Sequence, residues 1–282
     1  MRFGRLCVKK PNALDVLKTE HMGCINFFEN GIKDKIVELK SNLPERGRAY
    51  YSLCGHIYIT QFRDQVILLD TKKDKYTIYS QGFADILLKV VHNKELTESD
   101  TDTLPTLINA KIIQCQKTPY SFYADCKVDS VGVSNVDWRL PLNEQEVPLG
   151  PPVIIALLRL IQINSYIKFF GFHKAIQLIK RARKKNVDYI IPRDEELKQL
   201  TSVVNKACLI YPSRTKCLEW AITYVLLALK KGWKCNLEIG VQNYPFMAHA
   251  WVECNGKVVM DSQDLREGLG IILNEPFRRE KA

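Results

Sequence analysis

Three side chains in the last quarter of the sequence have the types and the order for covalent acyl chemistry: Cys217, His249 and Asp261. A thiolate attacks an acyl carbon, an imidazole moves the proton, and a carboxylate holds the imidazole in its working orientation. Cys217 opens a predicted helix, capped by Ser213 or Thr215. Leu218, Ala221, Ile222, Val225, Leu226 and Leu229 form its apolar stripe, Lys230-Lys231 fill its last turn and Gly232 ends it. A cysteine in a first helical turn meets unpaired backbone N–H groups and the positive end of the helix dipole. Both favour thiolate, and the same N–H groups suit an oxyanion.

His249 and Asp261 lie on predicted strands. Leu237–Val241, His249–Glu253 and Lys257–Asp261 read as three strands, the last two joined at Asn255-Gly256. A two-residue turn pairs Cys254 with Lys257 and sets His249 opposite Ser262. A three-residue loop pairs Glu253 with Lys257 and sets His249 opposite Asp261. The second register is expected, because only it lets the carboxylate orient the imidazole. Phe246 and Trp251 are candidates to line the cleft and bind substrate; core packing competes for each and is favoured for Trp251. Cys208 and Cys235 read as packing.

The elements that must carry this site fall in the second half of a 282-residue, 32.5 kDa chain. With 46% hydrophobic and 26% charged residues it is neither a disordered chain, a collagen-like repeat nor a coiled-coil rod. Val153–Leu158 is stopped by Arg159, short of the roughly 20 apolar residues of a spanning helix, so no membrane span is expected. Met1-Arg2-Phe3-Gly4-Arg5 precedes no apolar run, so no signal peptide is expected either. Nine cysteines without a CxxC pair, and five scattered histidines, suggest no disulfide framework and no metal site. A reducing, cytoplasmic setting fits. The net charge of +10 suits an acidic partner or plain solvation.

Before the helical part, three segments are expected. Residues 1–48 form an N-terminal extension with a short amphipathic helix over Phe27–Leu39. Residues 49–118 hold strands at Ile57–Phe62, Val66–Leu69 and Tyr76–Tyr79 and a helix at Phe83–Val91, a winged-helix-like pattern. Residues 119–152 read as a linker ending at Pro151-Pro152, and 153–282 as the catalytic domain. Helices are expected at Val153–Ile163, at Tyr166–Lys185 with five cations among its last six residues, and at Glu195–Val204. The fold class is α+β.

Cys217-Leu218, Ile239-Gly240-Val241, Pro245-Phe246, His249-Ala250-Trp251-Val252-Glu253 and Asp261 together resemble the lasso-peptide maturation proteases, in the transglutaminase-like branch of the papain-type fold. The 32-residue and 12-residue spacings of the three reactive side chains suit that family, over about residues 153–273. Tyr58–Asp70 and Asp74-Lys75-Tyr76 are similar to the first strands of the winged-helix element that binds a precursor leader in that family.

The resemblance implies a cysteine peptidase with Cys217 as nucleophile, His249 as base and then acid, and Asp261 as orienting carboxylate, with Asp264 as its fallback. It implies a leader peptide added along Tyr76, Thr77, Ile78 and Tyr79, and a partner cyclase resembling asparagine synthetase. It also implies ATP dependence, although no Gly-x-x-x-x-Gly-Lys loop occurs. Two other functions compete. One is transglutaminase-type acyl transfer to an amine. The other is DNA binding by the winged-helix module, whose recognition helix at Leu104–Ile113 would hold one cation, Lys111, where a DNA reader needs several.

Overall fold

The computed structural model describes residues 50–134, 138–140 and 147–281, so the extension over 1–48 and its expected helix at Phe27–Leu39 lie outside the described residues. Strand β1 (Tyr50–Leu53) is followed by β2 (Ile57–Phe62), β3 (Gln65–Asp70) and β4 (Lys75–Ser80). The turns between the last three fall where sequence placed them, with Arg63 and Asp74 left-handed at φ 54° and 50°. Helices α1 (Phe83–His92) and α2 (Glu98–Asn109) follow, then β5 (Ile113–Gln116), which pairs antiparallel with β1. A two-residue strand β6 (Cys126–Lys127) lies parallel to β2, giving the order β4-β3-β2-β6.

That sheet is buried on both faces. Tyr58, Phe62, Ile67 and Leu69 point into the large core shared with the rest of the chain. Ile57, Ile59, Val66 and Leu68 pack on Ala84, Leu87 and Val91 of α1 and on Leu104 and Leu107 of α2. A strand covered on both sides needs apolar residues in succession, which is why Val66–Leu69 is an unbroken apolar run.

The second half begins with α3 (Pro151–Ala182), then α4 (Asp194–Ile210) and α5 (Cys217–Lys230). Strands β7 (Cys235–Gln242), β8 (Met247–Cys254) and β9 (Lys257–Val258), the short helix α6 (Asp264–Gly268) and β10 (Gly270–Glu275) complete it. The second sheet runs β10-β7-β8-β9. Helix α5 is buried almost all round, from Leu218 and from Trp220 through Leu229, as befits a helix apolar on every face. Its end is as expected, with Gly232 at φ 78°. The two sheets meet where Tyr58 donates its hydroxyl to Glu275 Oε1 at 2.9 Å and the Ile271 N–H donates to Asp125 Oδ2 at 2.8 Å.

Three expectations change. The helix expected at Leu104–Ile113 instead covers Glu98–Asn109. It is fixed by Asp100, whose Oδ2 accepts the Thr97 N–H at 2.8 Å and the Lys89 ammonium at 2.6 Å. It contains no Lys or Arg, which removes the one cation a DNA-reading helix had been given. The helices expected at Val153–Ile163 and Tyr166–Lys185 are continuous through 164–165 and break instead at Gly171, whose φ of 81° and ψ of 171° suit only glycine. The third concerns membranes. By length and apolar composition α3 is long enough to cross one, despite Arg159. Its Val153, Ala156, Leu160 and Ile163 are nevertheless core side chains.

Candidate active site

Cys217 is the first residue of α5 and is partly buried. The cap differs from expectation: Lys216 holds the N-cap position, and Glu219 Oε2 accepts its backbone N–H at 2.9 Å. Glu219 closes the turn from inside, so neither Ser213 nor Thr215 is needed there. The sulfur keeps its place in the first turn, beside helical N–H groups that have no carbonyl partner within the helix.

His249 sits in β8, 3% exposed, with its Nε2 2.9 Å from Asp261 Oδ2. Cys217, at the start of α5, is near enough to the same ring to raise its pKa. With Nε2 engaged by the carboxylate, Nδ1 is the nitrogen left for sulfur. Asp261 Oδ1 accepts the Ser262 N–H at 2.8 Å, which fixes the carboxylate in turn. Asp264, the fallback carboxylate, starts α6 instead.

The hairpin takes the register that was not expected. Cys254 pairs with Lys257 and Glu253 with Val258 across a two-residue Asn255-Gly256 turn, both residues left-handed at φ 50° and 85°. In an unbroken strand this register would carry Asp261 away from His249. The strand is broken: its last backbone bond runs from Val259 N to Val252 O, and Met260 then turns left-handed at φ 55°. That turn swings Asp261 back onto the imidazole. The His249–Asp261 contact is present, reached by a path other than the expected one.

Burial opposes charge on His249, but its hydrogen bond to Asp261 and the nearby Cys217 outweigh burial and push its pKa up to about 9. The ring is therefore poised as imidazolium at neutral pH.

Behind the imidazole the site is built on a buried polar brace. Trp251, 1% exposed, stacks 6.0 Å from the His249 ring and donates Nε1–H to Glu238 Oε2 at 3.0 Å. It supports the histidine from the core, the role favoured for it, and its burial corrects its candidacy as a substrate-binding residue. Glu238 is fully buried in β7, faces the Arg266 guanidinium at 3.0 Å and accepts from Asn274 Nδ2 at 2.5 Å. Burial, with Glu253 nearby, raises the Glu238 carboxyl to about 7 against the pull of those donors. Gly240 leaves room for the indole, since a Cβ there would collide with the Trp251 ring. Sequence reasoning missed this brace, although a lone glutamate in the run Leu237-Glu238-Ile239 signals a buried charge in need of partners.

In front of the sulfur the two halves meet. The Tyr76 ring of β4 lies 5.3 Å from Phe246. Burial drives the Tyr76 phenol pKa far up, with smaller pushes from Asp74 and Cys217. Tyr76 and Ile78 face the large core, while Tyr79 stacks 5.8 Å from Phe83 on the α1 side; Thr77 shares the α1 side by strand alternation. β4 is an edge strand, with β3 its one neighbour among the described residues. A cavity of about 300 Å³ opens beside Asp261, between the start of α4 and the β8–β9 hairpin. Asp194 and Asp261 are in its wall, Cys217 and His249 are not.

Residues 159–274 match the family described as the transglutaminase-like superfamily. The protein is thus a mixed α+β chain with a transglutaminase-like domain in its C-terminal part. The chain is also similar to the microcin J25-processing protein McjB of Escherichia coli, 30% identical over 59 residues, which are 21% of this chain and 28% of that protein. The match therefore spans little more than a quarter of that relative. No solved structure matches the chain.

Proposed function

We propose that the protein is a cysteine peptidase that removes the leader from a ribosomal lasso-peptide precursor. The observation that supports this reading is the His249 imidazole, held 2.9 Å from the Asp261 carboxylate and raised in pKa by both Asp261 and Cys217. The transglutaminase-like match and the similarity to a microcin-processing protein support the same reaction class.

The sulfur of Cys217 attacks the carbonyl at the leader–core junction. An S–C bond forms, and the oxyanion sits against the first-turn N–H groups of α5. His249 then gives its proton to the core nitrogen as the C–N bond breaks. The core leaves with a free amine, and the leader stays as a thioester. Water, deprotonated by the same imidazole, hydrolyses the thioester and releases the leader. Asp261 holds the ring so that one nitrogen serves both steps. The freed amine is the group a partner cyclase would join to an acidic side chain. These side chains complete the chemistry without a metal. The cavity beside Asp261 carries Asp194 and Asp261 together with Lys198 and Lys257, and ATP is assigned no step.

The leader would add as a strand along the outer edge of β4, with its apolar side chains against Tyr79 and α1. This winged-helix-like half would deliver the scissile bond past Tyr76 and Phe246 to Cys217, raising its effective concentration there. The test is to incubate the chain with a lasso precursor and read leader and core fragments by mass spectrometry. Tyr79→Ala is expected to raise KM roughly tenfold, about 1.4 kcal/mol of binding, with kcat near wild type. An unchanged KM would remove β4 from the substrate path, and an uncut precursor would remove the peptidase reading.

A further inference from the structure

Helix α3 presents an apolar stripe to solvent. Ile154, Leu158, Ile161 and Phe169 recur at i, i+4, i+7 and i+15, and they are 55%, 61%, 42% and 74% exposed. That spacing keeps them on one side of the helix for about 22 Å. Phe170, 62% exposed, extends the patch at the end that meets the Gly171 kink. Scattered exposed apolar side chains need no explanation, but a continuous stripe ending in two phenylalanines does.

The charge around it is one-sided. From Pro151 to Val187 the chain holds eight Lys and Arg residues and no Asp or Glu. Lys168, Lys174, Arg181, Lys184 and Lys185 are exposed. The opposite side of the helix is committed to the core through Val153, Ala156, Leu160 and Ile163. A helix fixed to the protein on one side cannot insert across a bilayer, but it can lie on one. Apolar side chains at acyl depth flanked by cations without carboxylates are the pattern for a surface of anionic lipid.

We propose that α3 docks the protein on anionic membranes, with Leu158, Phe169 and Phe170 entering the acyl boundary and the cations between Lys168 and Lys185 meeting headgroup phosphates. A second copy would bring the same cations to the contact, which disfavours it. The inference stands apart from the peptidase reading, since none of these residues touches the site.

The full chain would be floated with vesicles of phosphatidylcholine alone, and with vesicles containing about 30% phosphatidylglycerol. Flotation is expected with the anionic vesicles only, and is expected to weaken in about 1 M salt. The triple substitution Leu158→Ser, Phe169→Ser, Phe170→Ser is expected to lower the bound fraction roughly tenfold or more. A second variant, Leu158→Trp, adds apolar surface, and its indole emission is expected to shift to the blue with anionic vesicles. Failure to float, flotation unchanged by the triple substitution, or no emission shift would each overturn the proposal. So would a dimer in light scattering that the triple substitution splits.

Discussion

Cys217→Ala is expected to leave the precursor whole. The thioester path begins with an S–C bond, and an alanine side chain has no atom that can form it. Cleavage should fall roughly a thousandfold or more, because the remaining binding groups have no bond to make. Leader affinity should stay within about twofold of wild type, since the substitution removes one sulfur and leaves the β4 edge untouched. Separating loss of cleavage from retention of binding distinguishes a lost nucleophile from a collapsed fold. Precursor titration against both proteins, followed by mass spectrometry of the products, checks the two halves together. A Cys217→Ala protein that still cuts at the wild-type rate would end the proposal.

The second large effect is at the carboxylate. Asp261→Ala leaves His249 Nε2 without its partner at 2.9 Å, so the ring can turn away from the sulfur and loses a charge that stabilises imidazolium. Cleavage should fall roughly a hundredfold, less than at Cys217, because Asp261 positions the base and makes no bond to substrate. The pH profile is the sharper readout. His249 is raised to about 9, so its proton is held at neutral pH and lost as pH climbs through that value, giving a basic limb near 9. Removing Asp261 lets burial act on the imidazolium with less opposition, so the limb should move to lower pH. Asp261→Asn keeps an acceptor oxygen without the charge. It should recover part of the rate while its basic limb stays below wild type. The same shift has a stability side. A group raised from 6.5 to about 9 contributes stabilisation that is complete below pH 6.5 and disappears as pH rises through about 9. Thermal unfolding of wild type and Asp261→Ala should therefore differ most on the acid side of that window.

Much of the scaffold is visible in residue order because the responsible forces are local. The turns at Arg63-Asp64 and Thr71–Lys75 bracket three apolar strands, and the stripe from Leu218 to Leu229 has one good helical solution. The placements of Cys217 at a helix start and of His249 in a hairpin strand were legible for the same reason. What was hidden depends on contacts distant in sequence or on single backbone angles. The left-handed turn at Met260, which returns Asp261 to His249, belongs to a residue that rarely adopts it and leaves no pattern in the sequence. The break at Gly171 had a glycine as its only sign, amid apolar spacing that continues on both sides. Helix α2 was misplaced because its apolar residues are few and Pro105 lies inside it, while the Thr97–Asp100 cap that starts it is a readable signal. A cleft role for Trp251 stayed open because its bond to Glu238, from the neighbouring strand, shows only in three dimensions.

The most direct test is covalent capture. A synthetic leader peptide carrying a vinyl sulfone at the junction carbonyl would be offered to the protein, and the adduct located by digestion and mass spectrometry. The expected result is one adduct on Cys217, formed far more slowly in His249→Ala, with the exposed thiols of Cys115 and Cys126 unmodified on the same timescale. Labelling of Cys115 or Cys126 at the rate of Cys217, or labelling of Cys217 that ignores the loss of His249, would contradict the claim that sulfur, imidazole and carboxylate work as one unit.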